Sequence, residues 1–406
     1  MYYASLQNKK VLFATYSTRK KDHTRVDSGP TQHVLDFFCS KVQQFTIIDQ
    51  PYFLYTTHFA PTAEIYEQGK MVQSYRFPSF FHSLFFINDK RKKKGGTSLR
   101  MKIRDFFSVI FFSLKEPKRY DLFIGMESIN TAAGILMKKL GFITTVTYYI
   151  FDFTPRRYGN KILNALYIAL DKFCCYHADY VWNISSAYAQ ARINELHYDP
   201  KKMAKQITVN YGVDEISVHS PKQRKKNQLI FSGSIGEENG ILKLIEAMPL
   251  VIQTIPDAHL IICGSGPQEE EVKKRIVKLH VSQHVSFLGF FADKQKVIQL
   301  QSQSMLAVAP YPDLIDSTKK YGDVMKIREY FARGLPVVTT AVPPISREIK
   351  KAPAGIIVDY TKESIAQGII ELLQNDTVYK ICQQQVYELA KNNTWEHNLS
   401  TAIKQM

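Results

Sequence analysis

Tyr321-Gly322-Asp323-Val324-Met325-Lys326-Ile327-Arg328-Glu329-Tyr330-Phe331-Ala332-Arg333-Gly334-Leu335-Pro336-Val337-Val338-Thr339-Thr340 is the stretch whose reading decides the fold. Val324, Ile327 and Phe331 recur at i, i+3 and i+7, so they share one face of a helix. Lys326, Glu329 and Arg333 fall on the opposite face, which the pattern predicts to be solvated. Gly334 stops the helix, and a short apolar strand begins at Pro336. A helix feeding directly into a strand with no polar alternation reads as one step of an α/β chain whose strand is buried on both faces.

The same step repeats outward from this stretch. Upstream, strands are predicted over residues 229–233, 259–263, 285–288 and 305–309, and downstream over 355–358, with helices starting near 238, 268, 294, 322, 344 and 362. Before a basic linker at 221–227 lies a second series. Its strands are predicted at 10–15, 121–125, 143–151, 180–185 and 207–213, with helices at 29–38, 131–140 and 160–177. Buried strands alternating with helices require right-handed crossovers and parallel sheets. The fold class read here is α/β, with two facing Rossmann-like domains. One covers residues 1–205 and the other covers 206–390. Residues 391–406 form a helix that returns to the first domain. In such sheets ligands bind beyond the carboxyl ends of the strands, so the cleft between the domains is the expected site.

The chain has 406 residues, 45% of them apolar and 22% charged, which excludes disordered and fibrous classes. No apolar run nears the ~18 residues that a spanning helix needs. The amino terminus carries no secretory h-region. Five cysteines, an odd number with no C-x-x-C, point away from a disulfide framework or zinc site and toward a reducing, cytoplasmic setting. The histidines show no metal spacing and no D-x-D closes a strand, so no metal and no cofactor is expected. The net charge of +16 asks for an anionic partner.

The opening stretch resembles the donor-binding helix of retaining GT-B glycosyltransferases of family 4, whose pattern is close to S-P-x-K-x-x-E-Y-x-A-x-G-x-P-V-V. Lys326, Glu329, Tyr330, Ala332, Gly334, Pro336, Val337 and Val338 match it. Cys263-Gly264-Ser265-Gly266-Pro267, Val285-Ser286-Phe287-Leu288-Gly289, Phe231-Ser232-Gly233 and Thr394-Trp395-Glu396 resemble the family's flanking motifs. The resemblance implies a hexosyltransferase-type enzyme that moves a sugar from a nucleoside-diphosphate sugar to a hydroxyl with retained configuration and without a metal. Surface polysaccharide or glycolipid synthesis is the implied setting. Glu329 would accept the ribose hydroxyls. The helix start at Gly322 and Asp323 would aim free N–H groups at the diphosphate, with Lys326 adding charge. Gly289, Phe290 and Phe291 would wall the base, and Gly233 opens the donor domain. In the first domain, Asp152 would orient or deprotonate the acceptor hydroxyl, and Gly29 resembles a glycine loop near the diphosphate-sugar. Glu127 stands beyond another strand end, at a position that can face the cleft, and the resemblance implies that residues 1–205 bind the acceptor and 206–390 the donor.

Three departures stand against the pattern. Tyr321 occupies the place of the first Glu of an E-x7-E pair, and Asp323-Val324 replaces S-P. The loop Ser234-Ile235-Gly236-Glu237-Glu238-Asn239-Gly240 lacks the Arg and Lys that usually neutralise the diphosphate. Lys319, Lys320, Lys326 and Lys243 are the candidate replacements. Two alternatives follow: a nucleotide-sugar epimerase of the same fold, which needs no acceptor, and a degenerate sugar-nucleotide binding protein. Residues 77–104 hold five Phe, then Lys90-Arg91-Lys92-Lys93-Lys94, then Arg100, Lys102 and Arg104, and read as a contact for an anionic membrane at the inner face of the cell membrane. No nucleic-acid recognition motif is present. The expected partners are thus the nucleotide sugar, a saccharide or lipid-linked acceptor and a membrane surface.

Overall fold

Strands and the helices between them account for most of the chain that the computed structural model describes: residues 6–19, 25–26, 29–51, 60–81, 99–115, 119–216, 224–315 and 317–406. Two compact units emerge, unit 1 of Met1–Val209 with Leu399–Met406 and unit 2 of Asn210–Asn398.

Unit 1 runs β1 (Lys10–Arg19), β2 (Arg25–Val26), α1 (Pro30–Cys39), β3 (Gln44–Pro51), β4 (Thr62–Glu67), β5 (Lys70–Arg76), α2 (Leu99–Lys115), β6 (Tyr120–Met126), α3 (Glu127–Lys139), β7 (Ile143–Ile150), α4 (Lys161–His177), β8 (Tyr180–Asn183), α5 (Ser186–Asn194) and β9 (Lys205–Thr208). Among the described residues its sheet has the order β5-β4-β3-β1-β6-β7-β8-β9, with β2 paired to β1. From β3 through β9 the ladder is parallel, while β3-β4-β5 is an antiparallel edge. The sequence reading places no strand over 44–76 and so misses this edge. Its β4–β5 turn is made by Gln68 and Gly69, both with positive φ (50° and 78°), the geometry a two-residue hairpin needs. The helix predicted from 131 instead starts at Glu127, directly after β6. Phe85, Phe86 and the run Lys90-Arg91-Lys92-Lys93-Lys94 lie outside the described residues.

Unit 2 runs β10 (Gln228–Ser232), α6 (Ile241–Thr254), β11 (His259–Cys263), α7 (Glu269–Lys278), β12 (Val285–Gly289), α8 (Lys294–Gln303), β13 (Leu306–Ala309), α9 (Met325–Ala332), β14 (Val337–Thr340), α10 (Ser346–Lys351), β15 (Gly355–Val358), α11 (Lys362–Gln374) and α12 (Asp376–Lys391); α13 (Trp395–Gln405) continues into the residues counted with unit 1. The sheet order is β12-β11-β10-β13-β14-β15, parallel throughout. The period of two decides which core each side chain joins. Leu229, Phe231, Leu260, Ile262, Leu306 and Val308 pack on one face, and Ile230, Ile261, Cys263, Ala307 and Ala309 on the other. Both faces are covered, which is why these strands carry no polar alternation. The order runs outward in one direction from β10 and in the other from β13. Their carboxyl ends therefore flank a topological switch point, where a crevice forms.

Candidate functional site

α9 starts beside that switch point. Val324, Ile327 and Phe331 enter the second core, as their spacing requires. The opposite face is not solvated, which corrects the sequence reading: Arg333 is buried, and Lys326 and Glu329 are at most half-exposed. Neighbouring loops, invisible to a helical wheel, cover them.

Lys326 crosses the end of β10. Gly233 there has φ of +136°, and a Cβ on it would stand 2.6 Å from Lys326 Cε, so only a glycine leaves the path open. The Lys326 ammonium then lies 4.1 Å from the centre of the Phe231 ring, 5.6 Å from that of Tyr311, and 3.4 Å from Asn239 Oδ1. Burial pulls its pKa down to about 7. Lys319 acts in the same direction, and Glu238 and Glu329 oppose it. Lys319 itself faces Glu238 at 3.6 Å. Of the other cations considered, Lys320 faces Asp313 at 3.4 Å and Lys243 pairs with Glu246 at 2.7 Å.

Glu329 lies one turn further on. Its carboxylate is half-buried and accepts no hydrogen bond from any described residue. Burial pushes its pKa up; Lys294, Arg333 and Lys326 oppose the shift, and Asp214 adds to it. A buried carboxylate usually spends its lone pairs on fixed donors. This one holds them toward cations that supply field but no direct bond.

The donor-binding positions named from sequence separate into those at this crevice and those spent on structure. Asp323 is fully committed: it accepts from the Tyr211 N–H at 3.0 Å and pairs with Arg328 Nε at 3.1 Å, while Arg328 also grips Glu348 with both terminal nitrogens at 2.8 and 2.7 Å. The Gly322 N–H bonds Thr318 O at 2.8 Å. The Gly322 N–H is thus spent, while the N–H groups of Met325 and Lys326 open α9 without a backbone acceptor among the described residues. Tyr321 is buried beside the helix start. Gly289 has φ of +74° with open space where a Cβ would go, and its carbonyl accepts from the Gly264 N–H at 2.8 Å. Phe290 next to it is 72% exposed, whereas Phe291 packs against the second core.

Three residues of the crevice escape the sequence reading as participants. The Tyr330 hydroxyl accepts from the Ser232 N–H at 2.8 Å and so ties α9 to the end of β10. Asn239 meets Lys326, and Tyr311 keeps a buried hydroxyl with no partner among the described residues. The motif does contain Tyr330, but only the tertiary contact reveals its bond.

In unit 1, Asp152 follows β7 and is 52% exposed, paired with Arg157 at 3.0 Å. Glu127 is the more constrained acid. It directly follows β6 and opens α3 with φ of +66°, a strained value for a residue with a Cβ. Burial raises its pKa against the pull of Arg157 and Lys102, with Asp152 adding to the rise. Lys102 lies 3.5 Å from the Tyr16 hydroxyl at the end of β1. Gly29, with φ of 48°, precedes α1, whose Thr31 hydroxyl bonds that of Thr15 at 2.8 Å. Glu127, Lys102 and Arg157 thus gather at the carboxyl ends of β1, β6 and β7. Among the described residues no group of three or more His, Cys, Asp or Glu is placed to hold a metal ion.

Residues 213–389 match the family model described as glycosyl transferases group 1. Among curated proteins, the poly(glycerol-phosphate) alpha-glucosyltransferase of Bacillus subtilis is 23% identical over 205 residues, 49% of this chain and 28% of that protein. The phosphatidyl-myo-inositol mannosyltransferase of Mycobacterium tuberculosis is 27% identical over 183 residues, 42% of this chain and 46% of that protein. The chain spans less than half the length of these curated relatives. Among solved structures, Anabaena Alr3699/HepE in complex with UDP and glucose superposes with a TM-score of 0.65 at 15% identity, covering 98% of this chain and 100% of that one. Sucrose-phosphate synthase from Thermosynechococcus elongatus gives 0.64 at 14%, covering 98% and 99%. The chain has the GT-B fold, and within it residues 213–389 carry the match to the glycosyl transferases group 1 model.

Proposed function

We propose that this protein is a retaining glycosyltransferase that takes a hexose from a nucleoside-diphosphate sugar and passes it to a hydroxyl acceptor in surface polysaccharide or glycolipid synthesis. The observation that carries the donor side is Glu329, a half-buried carboxylate in the switch-point crevice with its lone pairs unspent. Two vicinal hydroxyls of a ribose suit such an acceptor. The diphosphate would lie at the start of α9, where the N–H groups of Met325 and Lys326, the helix dipole and the Lys326 ammonium favour an anion. Lys319, held nearby by Glu238, supplies a second cation where the loop has none. Stabilising the departing diphosphate by such fixed charges is the largest expected contribution to rate. In unit 1, Glu127 and Asp152 are the carboxylates available to orient an acceptor hydroxyl. The relatives are named for acceptors built on glycerol phosphate and phosphatidylinositol, which supports a phosphate-bearing acceptor here.

A thermal-shift screen of nucleoside diphosphates and their sugars tests this reading, because a ligand at a hundredfold excess over Kd adds about 2.7 kcal/mol of stability. One nucleotide should raise the melting temperature of the protein, and Glu329→Ala should abolish that rise and the transfer while melting normally without ligand. Transfer at the unaltered rate in Glu329→Ala would remove the assignment. Conversion of the sugar in the absence of any acceptor would favour an epimerase instead.

A further inference from the structure

We propose that unit 1 docks on an anionic lipid bilayer through the amino-terminal halves of α2 and α4. The inference stands apart from the donor reading, because it needs neither Glu329 nor Lys326.

The charge of the chain is divided unequally. Unit 1 carries 31 Lys and Arg against 16 Asp and Glu, a net +15, while unit 2 carries 22 against 21. A chain that owes its basicity to general solubility has no reason to concentrate it in one unit. A chain that meets an anionic surface with one unit does.

Topology then selects the face. α2, α3 and α4 each lead into a strand of the parallel ladder, so all three run against the strands and start at the sheet's carboxyl edge. α3 packs between the other two. Lys102 on α2 and Arg157 just before α4 both act on Glu127, which places the two helix starts at one end of the unit. Toward that end large apolar side chains are exposed: Ile103 and, at mid-helix, Phe107 on α2 are 38% and 50% exposed, and Ile162, Leu163 and Leu166 on α4 are 75%, 44% and 60% exposed. Arg100, Arg156 and Lys161 are exposed around them. Among the described residues the nearby acids are Asp152, already paired with Arg157, and the buried Glu127 and Asp105, the latter paired with Arg104 at 2.6 Å. Large apolar side chains ringed by exposed cations match a bilayer, whose headgroups take the cations and whose acyl boundary takes Ile162 and Leu166. Among the described residues no helix is long and apolar enough to cross a membrane, so the contact is superficial.

Flotation of the full chain with phosphatidylcholine vesicles, with and without phosphatidylglycerol, tests the proposal. The protein should float with the anionic vesicles, less so at high salt, and not with phosphatidylcholine alone. The double variant Ile162→Glu with Leu166→Glu should lower the vesicle partition coefficient about tenfold or more. Its melting temperature should stay unchanged, since both side chains are exposed. Equal flotation of the double variant, or no flotation of the wild-type chain, would overturn the proposal. So would a concentration-dependent dimer that the variant abolishes without any lipid binding, or binding confined to soluble polyanions such as DNA.

Discussion

Donor binding should weaken steeply as the pH rises, because Lys326 must be charged to hold a diphosphate and its surroundings make it reluctant to be charged. Burial lowers its pKa to about 7, with Lys319 adding to the effect. The free protein above neutrality therefore carries Lys326 largely as the amine, and the ligand must draw a proton onto it. If only the ammonium supports the diphosphate, the apparent Kd scales as 1 + 10^(pH−7). From pH 6.5 to 8.5 that is a loss of about 25-fold, or about 1.9 kcal/mol. Both phosphates of a nucleotide sugar stay ionised across this range, so the slope belongs to the protein.

Isothermal titration calorimetry in two buffers of different ionisation enthalpy reads the same event twice. Affinity should fall with pH, and binding at pH 8.5 should take up about one proton. Lys326→Arg is the control. Its guanidinium stays protonated throughout, so the slope and the proton uptake should vanish even where the bulkier side chain lowers affinity overall. A pH-independent affinity in the wild-type chain, or the same slope in Lys326→Arg, would refute the reasoning. The sign for stability follows from the same depression. The unfolded chain binds more protons than the folded one between about pH 7 and the ordinary lysine pKa of ~10.4, so this group makes stability rise with pH across that window.

Two further substitutions probe the scaffold around the sites. Gly233→Ala should weaken nucleotide binding about tenfold and cost about 1–3 kcal/mol in urea denaturation, since its φ of +136° and the 2.6 Å approach to Lys326 Cε leave no room for a Cβ; binding and stability equal to wild type would contradict the close packing described. Asp171→Asn should destabilise unit 1 by about 3–5 kcal/mol by leaving the Arg192 guanidinium buried without its counter-charge. Denaturation that does not distinguish this variant from wild type would show that water or a neighbour replaces the carboxylate.

The strands of unit 2 were legible because burial on both faces writes itself into composition: 259–263 and 355–358 are read from sequence with the bounds the structure gives. What was not legible depends on partners distant in the chain. Nothing near Asp323 announces that Tyr211, 112 residues away, will donate to it, and so a residue in a binding motif turned out to hold the backbone. The Asp171 cluster is the same case. Its carboxylate takes Arg192 at 2.8 and 2.9 Å, Tyr148 at 2.8 Å and Tyr198 at 3.1 Å, all inside a fold whose periodicity predicts only apolar contacts. The edge β4–β5 was missed for a different reason. Its β5 face is mostly exposed, so no buried run marks it.

Glu329 is proposed through a motif, and the structure adds what the motif does not carry: a reason for its neighbours to differ from the pattern. The loop 234–240 has Asn239 and no cation, and Lys326 comes from α9 to meet Asn239 at 3.4 Å, over the Phe231 ring that the loop's own strand provides. A cation in that position must pass the end of β10, which explains why Gly233 admits no side chain. It must also be held without a direct carboxylate partner, since a fixed ion pair would spend the charge that a diphosphate needs. Glu238 could have been that partner, but it faces Lys319 at 3.6 Å, and Lys326 is left with an amide oxygen and two ring faces. On the proposed reading, the missing loop cations and the depressed Lys326 pKa are one arrangement: a single buried amine whose charge a bound diphosphate would complete.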